Sequence, residues 1–495
     1  MAEYILAIDQ GTTSTKVVLI DSLLNVVAIA GAELPQIYPR PGWVEHDPNT
    51  ILKITFDSIK NVIQKANIDP HTIAAIGITN QRETTILWDK KTGKPVYNAI
   101  VWQCKRTANI VEKLKARGYE KLFKRATGLV LDPYFSATKI MWLLNAIPGL
   151  KNKAQKGHIA FGTIDTWLLW HLTNGVNHAT DVSNASRTLL FNIKRLQWDK
   201  ELLKITGISP YIMPEVKPTS SIFGYTKGLG FLPDNIPIGG MVGDQQSALF
   251  GQACFEGGSV KATYGTGSFV LCNTSDKLVY SKHGLLTTVA WQIKNRVSYA
   301  LEGSAMASGS AVQWARDGLG IINNSDEIEP LASSVPDSGG VVFVPALSGL
   351  GAPWWKPEAR GMITGITRGT TKAHIARAIL EGIALQTFTL VDTMKQETKQ
   401  RLNALKVDGG ACKDNLLMQF QADILNIPVV RPKNIETTSL GAGMLAGLAV
   451  GIWKDLKDLK TVWKEDRVFK PSMPVAQRRG FLTRWEKAIK MLLSV

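Results

Sequence analysis

A strand–turn–strand unit occurs twice in this chain of 495 residues and limits its possible folds more than any other pattern. In the first copy, the apolar runs 4–8 and 16–20 flank a Gly-Thr-Thr-Ser turn. In the second copy, the runs 260–264 and 269–273 flank a Gly-Thr-Gly turn. Short β-branched runs joined by small polar residues are typical of hairpins. We therefore predict two related lobes, with a boundary near residues 245–255.

Strand and helix patterns alternate along the rest of the chain, which is typical of α/β proteins. A third strand near 26–30 predicts an antiparallel meander after the first hairpin. Asp47, followed by proline, is a typical start of a helix, and a buried strand is predicted at 73–79. The sequence thus predicts an α/β fold in two lobes, residues 1–250 and 251–495.

Composition narrows the classes of function. A hydrophobic content of 45% excludes a disordered chain, and the formal charge of +16 favours an anionic partner such as nucleic acid, acidic lipid or a phosphorylated small molecule. No basic tail or aromatic-rich basic cluster is present, so we expect no nucleic acid partner. The four cysteines form no CxxC pair, which favours a reducing, cytoplasmic compartment. The uncharged stretch 437–453 is short for a membrane span and predicts a buried helix rather than membrane insertion.

The two Gly-Thr turns are the best candidates for phosphate binding, because small residues let backbone N–H groups and hydroxyls approach anionic oxygens. Gly-Thr turns are also common in ordinary hairpins, but both copies open a predicted lobe. Asp9 precedes the first turn at the end of a buried strand, where a carboxylate needs a cation or a hydrogen-bond network, and Mg²⁺ suits it. No Walker A loop is present, and the GxGxxA pattern at 441–446 is better explained by close helix packing.

Polar groups that could receive an acceptor follow two other apolar strands. Arg82 and Glu83 come directly after the strand at 73–79, and Asp244 and Gln245 follow the run 236–242. Open α/β sheets place ligand groups at such strand ends, although a surface ion pair is the alternative. Trp102, Tyr134 and Phe269 could supply apolar walls or could belong to the core. Acid, amide and guanidinium groups between aromatic walls suit a small polyol.

With these residues, the sequence resembles the FGGY carbohydrate kinases, in particular members that phosphorylate glycerol, along essentially its whole length. The motifs that carry the resemblance are DQGTTS at 9–14, GITNQRET at 77–84, NAIVWQ at 98–103, DPYFS at 132–136, NASRT at 184–188, GDQQ at 243–246 and YGTGSF at 264–269. The family belongs to the superfamily of sugar kinases, heat-shock chaperones and actin. The resemblance implies two ribonuclease H-like lobes flanking a nucleotide- and substrate-binding cleft.

The resemblance also implies roles for individual residues, with ATP, Mg²⁺ and glycerol as ligands. Asp244 matches the general base, and Asp9 matches the acidic residue near Mg²⁺. The positions that match glycerol contacts are Arg82, Glu83, Trp102, Tyr134, Asp244, Gln245 and Phe269. The positions that match nucleotide contacts are Thr12, Thr13, Ser14, Lys16, Thr266, Gly309, Gln313, Gly410 and Asp414. Asp414 stands where bacterial relatives have asparagine, and the stretch 225–237 lacks the arginine through which some relatives respond to fructose 1,6-bisphosphate.

Other functions compatible with the sequence are a kinase for another polyol or a ketose such as xylulose or erythritol, a nucleic-acid-binding protein, and a non-enzymatic ATP-dependent scaffold. Intact Arg82, Glu83 and Asp244 favour an enzyme over a scaffold. By analogy with relatives, we expect a homodimer or homotetramer.

Overall fold

The structure, a computed structural model, describes residues 3–494. Its strands are β1 (Tyr4–Gln10), β2 (Ser14–Ile20), β3 (Val26–Glu33), β4 (Glu45–His46), β5 (Ile73–Asn80), β6 (Ile86–Asp89), β7 (Ala99–Ile100), β8 (Ile159–Gly162), β9 (Ala179–Asp181), β10 (Phe191–Asn192), β11 (Gln197–Trp198), β12 (Glu215–Lys217), β13 (Ser220–Tyr225), β14 (Pro237–Gly243), β15 (Val260–Tyr264), β16 (Ser268–Ser275), β17 (Leu286–Ile293), β18 (Arg296–Ala305), β19 (Val342–Val344), β20 (Met362–Thr364), β21 (Leu405–Asp408), β22 (Val429–Pro432) and β23 (Glu465–Phe469).

The α-helices are α1 (Pro48–Ala66), α2 (Ala108–Ala116), α3 (Glu120–Thr127), α4 (Ser136–Ala146), α5 (Leu150–Gln155), α6 (Ile164–Leu172), α7 (Val182–Ala185), α8 (Lys200–Thr206), α9 (Asp244–Gly251), α10 (Gly309–Asp317), α11 (Ile328–Ser333), α12 (Lys372–Thr398), α13 (Asn415–Leu425), α14 (Thr437–Val450), α15 (Leu456–Val462) and α16 (Val475–Leu493). The predicted strands and helices in both halves of the chain are confirmed. Asp47 caps α1 by accepting a hydrogen bond from the Asn49 N–H, as its position predicted.

Thirteen strands form one sheet in the order β23-β22-β21-β15-β16-β18-β17-β13-β14-β5-β1-β2-β3. Both predicted hairpins are present as antiparallel pairs, β1 with β2 and β15 with β16. The strands of the first half meet those of the second half through a single parallel pair, Ser220 with Ile293. Each hairpin turn thus belongs to a different half of the same sheet.

The parallel strands β1, β5 and β14 end in register at one edge of the sheet. Gln10 of β1 and Gly243 of β14 both lie opposite Asn80 of β5. The residues that follow these three strands therefore meet at this edge. In the second half, β15 and β21 are also parallel, and Thr263 lies opposite Asp408.

Helix α14 packs on the strands of the first half and carries the GxGxxA pattern. A Cβ atom on Gly441 would lie 2.0 Å from the Ser247 carbonyl oxygen, and one on Gly77 would lie 2.2 Å from the Ala442 carbonyl oxygen. Only glycine permits these contacts, so the packing interpretation of the pattern is confirmed. Within residues 3–494, none of the helices has the length and apolar character that crossing a membrane requires.

Candidate active site

The structure places Arg82 beside Asp244 at the edge where β5 and β14 end. Arg82 Nε lies 3.2 Å from Asp244 Oδ1. The Arg82 side chain is 2% exposed, whereas the Asp244 side chain is 27% exposed. The sequence left open a surface ion pair at Arg82 and Glu83, and burial excludes it. The Asp244 carboxylate is thus partly exposed, while the Arg82 side chain beside it is buried.

Behind Asp244 lies a group of four buried charges, Arg82, Glu83, Arg187 and Glu302, which we call the Arg82 cluster. Arg82 donates from Nη1 to Glu302 Oε2 at 2.5 Å and from Nη2 to Glu302 Oε1 at 2.9 Å. Arg187 donates to Glu83 at 2.6 Å and to Glu302 at 3.0 Å. Gln246 Oε1 accepts a further bond from Arg82 Nη1 at 3.1 Å. The cluster contains two positive and two negative groups, so its charges balance.

Burial and neighbouring charges shift the carboxyl groups in different directions. Burial raises the pKa of Asp244, against the opposing effect of Arg82 and Lys261. Burial also acts to raise the pKa of Glu302, but Arg187 and Arg82 outweigh it and lower that pKa to about 2. Glu302 is therefore a permanent anion, while Asp244 is a stronger base than an ordinary aspartate.

Two of the three predicted aromatic walls lie together. The Trp102 and Tyr134 rings meet edge-on with centroids 5.4 Å apart. Trp102 Nε1 also donates to Thr12 Oγ1 at 2.9 Å, which joins this wall to the first Gly-Thr turn. Phe269, partly exposed, lies on β16 opposite Ser304 of β18. The structure thus links the predicted acceptor wall directly to a predicted phosphate turn.

Gln245 is held from the second half of the sheet. Its Oε1 accepts a hydrogen bond from Lys261 Nζ at 2.6 Å, and the same ammonium group donates to Thr263 Oγ1 at 2.7 Å. Burial lowers the pKa of Lys261 to about 8. The charges of Asp408 and Asp244 oppose this shift and favour the ammonium form.

The first Gly-Thr turn is tight and partly exposed. The Gly11 N–H donates to the Ser14 carbonyl at 2.9 Å, and Thr13 is exposed. Lys16, predicted as part of this phosphate site, makes an ion pair with Glu436 at 2.9 Å. The ammonium group of Lys16 is therefore neutralised by a residue that precedes α14.

The second Gly-Thr turn is fixed by the start of α10. Ser308 donates its N–H to the Thr266 carbonyl, and Gly309 donates to the Gly265 carbonyl, each at 2.9 Å. Gln313 is exposed on α10, one turn after Gly309. These backbone hydrogen bonds thus hold two predicted nucleotide residues, Thr266 and Gly309, close to each other.

Two further predicted nucleotide residues follow β21. A Cβ atom on Gly410 would find no atom within 4 Å, so the backbone there is open to a ligand. Asp414 caps α13 by accepting from the Leu417 N–H at 2.8 Å. Its other carboxylate oxygen is buried without a hydrogen-bond partner, and burial raises the Asp414 pKa to about 6. An unpaired buried acceptor is suited to a hydroxyl or amino group of a ligand.

Asp9 lies half-buried near Asp244 and suits a magnesium ion. Burial, and then the charge of Asp244, raise the Asp9 pKa to about 7. Within residues 3–494, no three His, Cys, Asp or Glu side chains form a metal-binding group. Mg²⁺ needs only one or two carboxylates when phosphate oxygens and water complete its shell, and Asp9 fits this requirement.

Comparison with known proteins identifies the family to which the chain belongs. The N-terminal domain model of the FGGY family of carbohydrate kinases matches residues 4–251, and the C-terminal domain model matches residues 260–450. The chain belongs to the FGGY family of carbohydrate kinases. The first FGGY match contains Asp9, Arg82 and Asp244, and the second contains both Thr266 and Glu302.

Several FGGY kinases resemble the chain over almost its full length. Glycerol kinase 1 of Saccharolobus solfataricus is 58% identical over 489 residues, which covers 99% of this chain and 96% of the relative. Glycerol kinase 2 of Thermotoga maritima is 55% identical over 491 residues, which covers 99% of both chains. The crystal structure of Plasmodium falciparum glycerol kinase with ADP has a TM-score of 0.93 and 42% identity, and covers 99% of this chain and 98% of that one. A xylulose kinase from Lactobacillus acidophilus has a TM-score of 0.89 and 26% identity, and covers 99% and 97%. These likenesses confirm the predicted two-part FGGY fold.

The residues that sequence reasoning did not assign are Arg187, Glu302, Gln246 and Lys261. Arg187 lies in the NASRT motif, but nothing local shows that it points to Glu83. Glu302 and Lys261 are charged residues within apolar strands, and this pattern could have identified them as candidates for the site. A charge in such a position needs a buried partner.

Proposed function

We propose that this chain catalyses the ATP-dependent phosphorylation of glycerol to sn-glycerol 3-phosphate and ADP. The observation that carries the proposal is the half-buried Asp244 carboxylate beside Arg82, at the same edge of the sheet as the first Gly-Thr turn. Relatives named glycerol kinase, 55–58% identical over 99% of the chain, support glycerol as the acceptor.

On the acceptor side, Asp244 takes the proton from a terminal hydroxyl as that oxygen attacks the γ-phosphorus. Arg82, Glu83, Tyr134 and Gln245 hold the other hydroxyls and select one end of the molecule. Trp102 and Phe269 contact the carbon face. Since the transition state of phosphoryl transfer is loose, this arrangement acts mainly through position and charge, with the base contributing less than in a tighter mechanism.

On the nucleotide side, the two Gly-Thr turns bind the phosphates through backbone N–H groups and hydroxyls. Asp9 would hold Mg²⁺, which neutralises charge on the phosphate oxygens. The residues assigned to ATP are Thr12, Thr13, Ser14, Lys16, Thr266, Gly309, Gln313, Gly410 and Asp414. The open backbone at Gly410 and the unpaired oxygen of Asp414 support this assignment.

Residues 1–250 and 251–495 form the two lobes in this proposal, and the cleft closes on the bound substrates to exclude water. We further propose a cytoplasmic enzyme that forms a homodimer or homotetramer. The four cysteines are all buried and unpaired, which supports a reducing compartment. Light scattering of the purified chain measures the oligomeric state, and a monomer at micromolar concentration would contradict the second part.

The test is ADP release from Mg·ATP with and without glycerol, followed by identification of the product by chiral analysis. We expect release that depends on glycerol and yields only the sn-3 phosphate. A parallel panel with erythritol, xylulose and other polyols measures specificity. A higher kcat/KM for xylulose or erythritol than for glycerol would contradict the acceptor assignment.

A further inference from the structure

Glu302 is the centre of the Arg82 cluster and comes from a different half of the sheet than the residues it binds. Its two carboxylate oxygens accept two bonds from Arg82, at 2.5 and 2.9 Å, and one from Arg187 at 3.0 Å. The Glu302 side chain is 1% exposed, so water does not compete for these bonds. Arg82 and Arg187 belong to the first half of the chain, whereas Glu302 lies on β18 of the second.

The bonds from Arg82 decide which of its N–H groups face the cleft. A guanidinium group has five N–H donors. Two bonds to Glu302 and one to Gln246 use three of them, all on Nη1 and Nη2. The N–H of Nε, which lies 3.2 Å from Asp244 Oδ1, and one N–H of Nη2 remain. A two-armed contact of this kind fixes the plane of the guanidinium group as well as its distance.

The charge of Glu302 matters as much as its geometry. Without this anion, Arg82 and Arg187 would face only Glu83 and Asp244 as nearby carboxylates. Arg82 would then pair more strongly with Asp244, and it would do so in a buried place where such attraction is strong. Asp244 would be drawn away from an incoming hydroxyl. Glu302 therefore competes with Asp244 for Arg82, so that only Nε of the guanidinium group lies beside Asp244, at 3.2 Å from Oδ1.

The strand that carries Glu302 also supports the second Gly-Thr turn. In the pairing of β18 with β16, Glu302 lies opposite Leu271, and Ala305 lies opposite Ser268 at the end of the turn. Three residues after Ala305, the Ser308 N–H donates to the Thr266 carbonyl. The residue that orients Arg82 thus belongs to the strand pair from which the predicted nucleotide contacts extend.

We propose that Glu302 is a positioning residue for the transfer reaction: it orients Arg82 toward the alcohol and ties that orientation to the strands that carry the second phosphate turn. This inference rests on the proposed function, because it assigns the alcohol to the space beside Asp244. Glu302 itself does not contact the substrate. It acts through Arg82 and weakens the attraction of that guanidinium group to Asp244.

The test compares Glu302→Gln and Glu302→Asp with the parent chain. Glutamine keeps the shape but loses the charge and one acceptor, whereas aspartate keeps the charge on a shorter side chain. We expect Glu302→Gln to raise the KM for glycerol about tenfold or more and to lower kcat about tenfold, with the KM for ATP within about threefold of the parent. We expect Glu302→Asp to recover part of both losses. A role in folding alone would not separate glycerol from ATP in this way.

The matched control is Glu381→Gln, which neutralises another buried glutamate in an ion pair, with Arg377 at 2.9 Å on α12. It should leave the KM for glycerol at the parental value. If Glu302→Gln does not fold, Glu302→Asp tests the inference by the same comparison, the change in the KM for glycerol against the change in the KM for ATP. An active parent whose Glu302 variants keep the parental KM for glycerol, or lose glycerol and ATP affinity equally, would overturn this inference alone. A parent without glycerol-dependent ADP release would overturn the proposed function, and this inference with it.

Discussion

Replacing Asp244 by asparagine should remove the proposed base while leaving its surroundings in place. Arg82 keeps its bonds to Glu302 and Gln246, so its charge remains compensated. The Asp244 Oδ1 atom that accepts from the Gln245 N–H at 2.6 Å has a counterpart in the asparagine amide oxygen. A positioned base contributes about 10²–10⁴-fold in rate. The loose transition state limits this contribution, and we therefore expect kcat to fall about 10²–10³-fold, or about 2.7–4 kcal/mol in the barrier.

The same substitution should not destabilise the fold at neutral pH. Burial raises the pKa of Asp244 above its value in the unfolded chain. The folded state then binds its proton more tightly, so stability is lost as the pH rises from the unfolded value through the raised pKa. Asparagine carries no charge and escapes this loss. We expect the thermal midpoint of Asp244→Asn to equal or exceed that of the parent at pH 7.5, and the difference to shrink toward pH 4.

The assay is ADP release at saturating glycerol and Mg·ATP, with calorimetric binding of ADP as a second measurement. ADP affinity should stay within about threefold of the parent, because Asp244 serves the acceptor. Asp165→Asn is the matched control: Asp165 is buried, its pKa is raised by burial to about 7, and its oxygen accepts from Thr180 at 2.6 Å. This control should keep kcat. If Asp244→Asn turned over within about threefold of the parent, the base role would be refuted.

Four further predictions concern the surroundings of the site. Trp102→Phe removes the hydrogen bond to Thr12 but keeps an aromatic wall, and we expect the KM for glycerol to rise up to about tenfold. The control is Trp167→Phe, because the Trp167 indole donates a hydrogen bond to Pro48 in the core. Asp414→Asn keeps the cap of α13 and removes a carboxyl group whose pKa burial raises to about 6. In thermal melts, the variant should be more stable than the parent at pH 8 and equally stable below about pH 4. A variant less stable than the parent at pH 8 would contradict this prediction. Lys139→Met leaves the carbonyls of Pro133, Tyr134 and Phe135 without their buried donor, so both the thermal midpoint and glycerol affinity should fall. An unchanged KM for glycerol would show that Lys139 does not position Tyr134 for glycerol binding. Fructose 1,6-bisphosphate should not inhibit ADP release at millimolar concentration, because Lys227 is the only cation between residues 225 and 237. Inhibition in the ADP-release assay would show a binding site elsewhere.

The hairpins and the strand ends could be predicted from the sequence, because each depends on residues close together in the chain. The first turn needs only the apolar runs of β1 and β2 and the small residues between them. The meeting of Arg82 with Asp244 was also within reach, because both follow buried strands that a parallel sheet brings to one edge. Periodicity and turn chemistry were therefore enough to predict that Arg82 and Asp244, two of the proposed acceptor residues, lie at one edge of the sheet.

The partners of these residues could not be predicted in the same way. Arg82 and Glu302 are 220 positions apart, and Lys16 and Glu436 are 420 positions apart. Nothing in a local pattern selects one of many charged residues at such separations. The position of α14 is a similar case, since a helix from the second half of the chain packs on the strands of the first. Tertiary packing, rather than propensity, decides these contacts.

Charge is the property for which composition and structure differ most. The chain carries 57 Lys and Arg against 41 Asp and Glu, which favours anionic ligands in general. The buried and half-buried groups that act on Asp9, Asp244 and Lys261 have the opposite balance. Together with Asp9 itself they comprise three cations, Lys16, Arg82 and Lys261, and five carboxylates, Asp9, Asp244, Glu302, Asp408 and Glu436.

In the proposed reaction, a nucleotide polyphosphate therefore meets an excess of negative charge. Burial is the main cause that raises the pKa of both Asp9 and Asp244, and a neighbouring carboxylate adds to it, Asp244 for Asp9 and Glu302 for Asp244. The surface charge of the chain can speed the approach of an anion but does not stabilise it beside these carboxylates. Asp9 would hold a divalent cation bound to the phosphates, and such a cation would attract both the phosphate oxygens and this carboxylate. The proposal that Mg²⁺ accompanies the phosphates is thus supported by the carboxylates near Asp9 and Asp244, not by the net charge of the chain.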